Sequence, residues 1–209
     1  MAPAQGFERP RVEHPIDLNA HIAALPSGAA CKGLFFLDLE DRVRKVAPTA
    51  NLADRADVAP RRYVAFREYP YSDLMRYLVA AASILHRAVP LGEGLRRLGA
   101  GAYDAFLGSH VGRVVLGAFG KHLDAILTHG KRAYQLCINF GDIRVEPIER
   151  GHVRYHFAGM PAFLETYQVG VVEAAFAATG NRGEVLVQMK NLGEAVFDIQ
   201  WSIGSGRPL

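Results

Sequence analysis

The sequence predicts an α+β domain, with an N-terminal helical layer followed by a four-stranded antiparallel sheet built as hairpin–helix–hairpin. Three observations predict it. Apolar residues recur at helical spacing through much of residues 17–129, the period shortens to two after Tyr134, and one amphipathic helical stretch separates two pairs of alternating segments. Helices first and strands afterwards is not the βαβ alternation of nucleotide-binding sheets.

Residues 1–30 read as an N-terminal extension. Pro3, Pro10 and Pro15 lie in a loose lead-in, and Asp17 caps a short helix that reaches Leu25 and stops at Pro26-Ser27-Gly28. A single domain is expected over 31–203, helical over 31–131 and sheet-forming over 132–203, with a tail at 204–209. Gly33-Leu34-Phe35-Phe36 opens a second helix to about Lys45, and residues 47–68, with Pro48 and Pro60, read as a surface connection. From Tyr71, Leu74, Leu78, Ala81 and Leu85 form one stripe while Met75, Val79 and Ala82 fill much of the rest. That pattern marks a buried helix, and Pro90 ends it. A short helix over 91–98 stopped by Gly99 and Gly101, another from Ala102 towards Phe119, and a fourth from Lys121 to His129 complete the helical half.

In the second half Ile143 and Val145 alternate with Arg144 and Glu146, and Val153, Tyr155 and Phe157 with Arg154 and His156. This is a hairpin with one buried face. A helix over Pro161–Ala178 follows. Then come Val185, Val187 and Met189, a turn at Asn191-Leu192-Gly193, and Phe197, Ile199 and Trp201.

Of 209 residues, 50% are apolar and 22% charged, with a net charge of +3, so the composition is that of an ordinary globular protein. The basic excess is scattered, without the stripe of cations and stacking aromatics that a nucleic-acid groove needs. The near-apolar stretch Tyr77–Leu85 is too short for a membrane span, and no secretion leader opens the chain, so a cytoplasmic protein is expected. Cys31 and Cys137 lack ligand spacing and read as reduced thiols.

Catalytic and metal constellations are sparse. Ser109 and His110 are adjacent, so on a helix their side chains diverge by about 100° and form no relay. Gly99-Ala100-Gly101 lacks the third glycine of a dinucleotide loop. His152 and His156 would lie on a strand, too far apart to share a metal, and are expected at solvent. Asp38 and Glu40 likewise read as solvated charge. Neither an enzyme nor a metal site is expected. His110 shares a helical stripe with Tyr103 and Phe106, either as a core-edge histidine bonded to a carbonyl or as a contact to a ligand.

Two resemblances follow from the motifs. Lys32-Gly33-Leu34-Phe35-Phe36, Tyr69-Pro70, Leu95-Arg96-Arg97-Leu98-Gly99, Gly112-Arg113-Val114-Val115-Leu116-Gly117 and Tyr167-Gln168-Val169-Gly170-Val171-Val172-Glu173 resemble a family of uncharacterised myxobacterial proteins of similar length. That resemblance implies no activity. More distantly, the order Gly33, Tyr69-Pro70, Val79-Ala80-Ala81-Ala82-Ser83, Leu98-Gly99 and Leu123-Asp124 resembles the heme nitric-oxide/oxygen-binding (H-NOX) fold and its TRAPP and vinyl-reductase-type relatives.

The H-NOX resemblance implies a heme ligand a few residues after the Leu-Asp pair. Leu127 stands at that place and His129 two residues later, about 200° around a helix. The family's Tyr-x-Ser-x-Arg clamp on the heme propionates is also missing: the register from Tyr155 gives Phe157 and Gly159, and that from Phe157 gives Gly159 and Pro161. No cofactor is therefore expected. The expected role is a signalling or regulatory module binding a small apolar molecule or a protein partner, with a homodimer as one form of that partner. Leu78, Tyr103, Phe106, His110, Phe119, Leu123, Tyr155 and Tyr167 are the candidate pocket residues. A heme-dependent gas sensor using His129 and a TRAPP-like interaction module with a filled core are the alternatives.

Overall fold

The structure, a computed structural model, describes residues 6–108 and 122–202, without the side chains of residues 104–107. Its elements follow the expected order. The helical layer holds α1 (Leu18–Ala23), α2 (Leu34–Val46), α3 (Leu52–Arg55), α4 (Tyr71–Leu85), α5 (Leu91–Gly108), α6 (Leu123–Thr128) and α7 (Gly130–Cys137). Two short strands, β1 (Ala30–Lys32) and β2 (Glu68–Pro70), pair antiparallel beside it. The main sheet holds β3 (Asp142–Glu149), β4 (His152–Ala158), β5 (Arg182–Asn191) and β6 (Glu194–Ser202) in the order β3-β4-β6-β5, with every neighbouring pair antiparallel. Between the hairpins, a single π-helical turn (Leu164–Gln168) runs into α8 (Val169–Ala178). Among the described residues no helix is long and apolar enough to cross a membrane.

Register explains the sheet's inner face. Tyr155 lies opposite Val145 on β3 and Phe197 on β6, and Val153 and Val185 both face Ile199. Apart from the half-buried Val145, this row of period-two residues is buried in the core.

Besides β1, β2 and α7, none of which was expected, the structure differs from the expected elements at three places. Gly99 and Gly101 do not stop a helix; α5 runs through them. A Cβ on Gly99 would run into the Tyr167 carbonyl, and one on Gly170 of α8 into the Arg96 carbonyl, so the glycines let α5 and α8 cross with backbones in contact. The connection over 47–68 is also more than surface. It carries α3, capped by the Asn51 side chain, and buries Leu52, Val58 and Tyr63, whose ring stacks on Phe36 at 4.2 Å. The third difference is the start of the helix expected from Pro161. Phe163 sits in the left-handed region (φ 53°), a costly conformation for a bulky residue, and the π turn follows it.

The N-terminal segment also docks. Glu8 exchanges two backbone hydrogen bonds with Val187 on β5 (3.0 and 2.8 Å), and the Arg11 side chain donates to Glu165 in the π turn (3.0 Å).

Candidate functional site

Helical layer and sheet do not meet everywhere. Between them lies a cavity of about 130 Å³. Its walls come from the start of α4 (Tyr71, Leu74), α5 (Ala102, Tyr103), α6 and α7 (Leu127, Tyr134, Cys137), β4 (Tyr155), the π turn (Tyr167, Gln168) and α8 (Val172, Ala175). Among the described residues, no Lys, Arg, Asp or Glu lines it.

Each wall has a local cause. Tyr71 opens α4 directly after Pro70, where its N–H donates to Ala29 O (2.9 Å) and its ring meets Phe140 edge-on at 4.7 Å. Tyr155 is carried inward by strand alternation, and its hydroxyl donates to Leu127 O at the end of α6. A Cβ on Gly130 would collide with that hydroxyl, so α7 can start here only with glycine. Gln168 ends the π turn, accepting from the Tyr134 hydroxyl (2.7 Å) and donating to Ala162 O (3.3 Å). These bonds tie the helical wall to the segment that leads into α8.

Of the sequence-derived pocket residues, Tyr103, Tyr155 and Tyr167 come together on the cavity wall. Leu78 and Leu123 are buried, but neither lines the cavity. His110, Phe119 and the Phe106 side chain lie outside the described residues. His129 does line the cavity: α6 ends at Thr128, so His129 occupies the joint with α7 rather than a continuing helical register. Tyr71, Tyr134 and Gln168 were not singled out in the sequence. Tyr71 had a usable signal, since it begins the stripe continued by Leu74 and Leu78.

Cys137 is also on the wall. Burial pushes its thiol up to about 12, and burial likewise raises Cys31, so both thiols are protonated near neutral pH.

A second polar cluster lies on the sheet's other face, and it corrects the expectation of solvated histidines. His152 is buried, and its Nε2 donates to Asp198 (2.8 Å). Arg154 Nε and Gln200 Nε2 donate to the same carboxylate, each at 2.7 Å. The register places Arg154 opposite Asp198 and His152 opposite Gln200, so the four converge diagonally across β4 and β6. Burial opposes ionisation of Asp198, but the three donors outweigh it and hold its carboxyl below the usual range. His156 is half-buried against Glu146 (2.6 Å). Asp38 is likewise half-buried; burial raises its carboxyl despite the guanidinium of Arg42 at 3.4 Å. Among the described residues, no group of three or more His, Cys, Asp or Glu side chains is placed to hold a metal ion.

Comparison with known proteins places this architecture. A family described as "Protein of unknown function (DUF2378)" matches residues 25–202, and the chain belongs to it. No curated protein matches the chain. Solved structures share the fold. An H-NOX protein from S. oneidensis in the Fe(II)NO ligation state is similar with a TM-score of 0.68 at 14% identity, covering 82% of this chain and 99% of that one. The Fe(II) unliganded H-NOX protein from K. algicida gives 0.64 at 12% identity, over 85% and 100%. An oxygen-binding H-NOX domain related to soluble guanylate cyclases gives 0.62 at 11%, over 85% and 98%. The fold is therefore α+β and H-NOX-like.

Proposed function

We propose that this member of the DUF2378 family is a non-enzymatic sensing or regulatory module that takes a small apolar ligand into the cavity between its two layers, without heme. The observation that carries the reading is the cavity itself: about 130 Å³, walled by aromatic and aliphatic side chains, with no Lys, Arg, Asp or Glu among its described lining residues. A dry apolar cavity of about 150 Å³ is large enough to take benzene or xenon. Because α4, α5, α8 and β4 all contribute walls, an occupant touches both layers at once. A ligand that fits one arrangement of those elements better than another shifts their populations. A protein partner or a second copy of the chain then reads the shift. The structural neighbours, described in nitric-oxide-ligated and oxygen-bound states, support a sensing use of the fold.

Heme is the group those neighbours suggest, and the residues here do not fit it. The space is of benzene scale, far below that of a tetrapyrrole. Beside His129 the volume is taken by the Tyr155 hydroxyl, packed on Gly130 and bonded to Leu127 O. Among the described residues the lining also offers no guanidinium to pair with two propionates. His129 is a residue type that heme iron accepts, but a histidine alone does not make the site.

Toluene is a suitable probe. It should raise the Tm of the purified chain in a concentration-dependent way, as any ligand of the folded state does. Ala175→Leu or Ala133→Leu, which place extra methyl groups on the wall, should suppress that rise. A Tm indifferent to toluene in the unmodified chain overturns the reading.

A further inference from the structure

We propose that the cavity's ligand is a neutral apolar molecule of about benzene size that carries one oxygen-based hydrogen-bonding group, held by the hydroxyls of Tyr71 and Tyr167. The inference rests on the ligand-binding reading above and narrows it to a chemical class.

The tyrosines around the cavity are not equivalent. Tyr134 gives its hydroxyl to Gln168 and Tyr155 gives its own to Leu127 O. Tyr71 and Tyr167 are 2% and 5% exposed and line the same cavity, yet their hydroxyls make no hydrogen bond among the described residues. Buried polar groups are almost always paired, because water's hydrogen bonds are lost on burial. Two unpaired hydroxyls from separate elements on one wall therefore form a polar spot that an occupant can satisfy. Both rings are held in place: Tyr71 by its helix start and by Phe140, Tyr167 by the π turn packed on Gly99. A small oxygen-bearing ligand thus meets preset donors rather than ordering them.

The described walls disfavour charge. Among the described lining residues a carboxylate meets no Lys or Arg and an ammonium no acid, and the charges that act on the Tyr167 phenol, Asp38 and Arg42, are paired with each other at 3.4 Å. Burial pushes the Tyr71 phenol well up, with Tyr167, Cys31 and Tyr134 adding to the effect. It pushes Tyr167 up as well, so both remain neutral donors at physiological pH. Phenols, short ketones and small alcohols with an apolar body have the required chemistry.

Phenol and toluene are matched in size and differ at the oxygen, so calorimetric titration with each tests the assignment. Tyr71→Phe and Tyr167→Phe should each lower the ratio of phenol to toluene affinity by about fivefold or more, the double variant further, while toluene affinity stays within about threefold. A ratio unchanged in both single variants and in the double overturns the hydroxyl assignment and leaves the cavity reading standing. Failure of both probes to bind the unmodified chain overturns both. Ligand-free stability adds an independent check: removing a hydroxyl without a partner should leave the Tm unchanged or raise it. A Tm loss of several degrees in both single variants would mean the hydroxyls serve the fold, and would overturn the assignment.

Discussion

Asp198 is 2% exposed, and three side chains donate to it. Its folded pKa is depressed, so its contribution to stability is fully present above the unfolded value of about 3.9. That contribution is lost as the pH falls through the lowered folded value. Asp198→Asn should therefore cost about 2 kcal/mol at pH 7, the order expected when a buried charged acceptor is replaced by an amide. The gap to the unmodified chain should close at pH values below both pKa values. Urea unfolding at pH 7 and in strong acid measures both, and an equal gap at the two pH values would contradict the account. Neither His152 nor Asp198 advertised this cluster in the sequence. Strand alternation places His152, Arg154, Asp198 and Gln200 on the outer face, but their convergence depends on which residue of β6 lies opposite which of β4.

At the scale of elements, the strands were legible because apolar residues at a period of two, with polar ones between, fit a half-buried strand and no helix. The helix α4 was legible because its stripe is long. The crossing of α5 and α8 was not. Glycine after a helical stretch usually ends it, and only the partner helix reveals that Gly99 and Gly170 exist for backbone contact. Each alanine substitution there gains up to about 1 kcal/mol of helix propensity and loses about 1–3 kcal/mol or more to overpacking against a carbonyl. Gly99→Ala and Gly170→Ala should both be net destabilising, read as a lower urea midpoint. A rise in either would mean that the helices are not held at backbone distance. The same crossing explains why the cavity was only partly legible. Tyr103 and Tyr155 stood on aromatic patterns, whereas Gln168 reaches the wall through a π turn that no periodicity announces.

Across the whole molecule, the chain has the H-NOX-like fold. The likeness holds at 11–14% identity. Among the described residues, the cavity is lined by His129 and several tyrosines and by no lysine or arginine. On the proposed reading, a porphyrin would have to displace Tyr155 from Leu127 and part α7 from Tyr155 at Gly130. That rearrangement removes buried contacts, whereas a benzene-sized ligand needs only the space already present. Chain expressed with heme supplied and then purified should therefore show no Soret absorbance. His129→Ala should preserve the toluene-induced rise in Tm, because the histidine contributes wall rather than a metal bond. A Soret band that disappears in His129→Ala would reverse this reading, since it would require the layers to open around a macrocycle and would make the small cavity the collapsed form of a larger one.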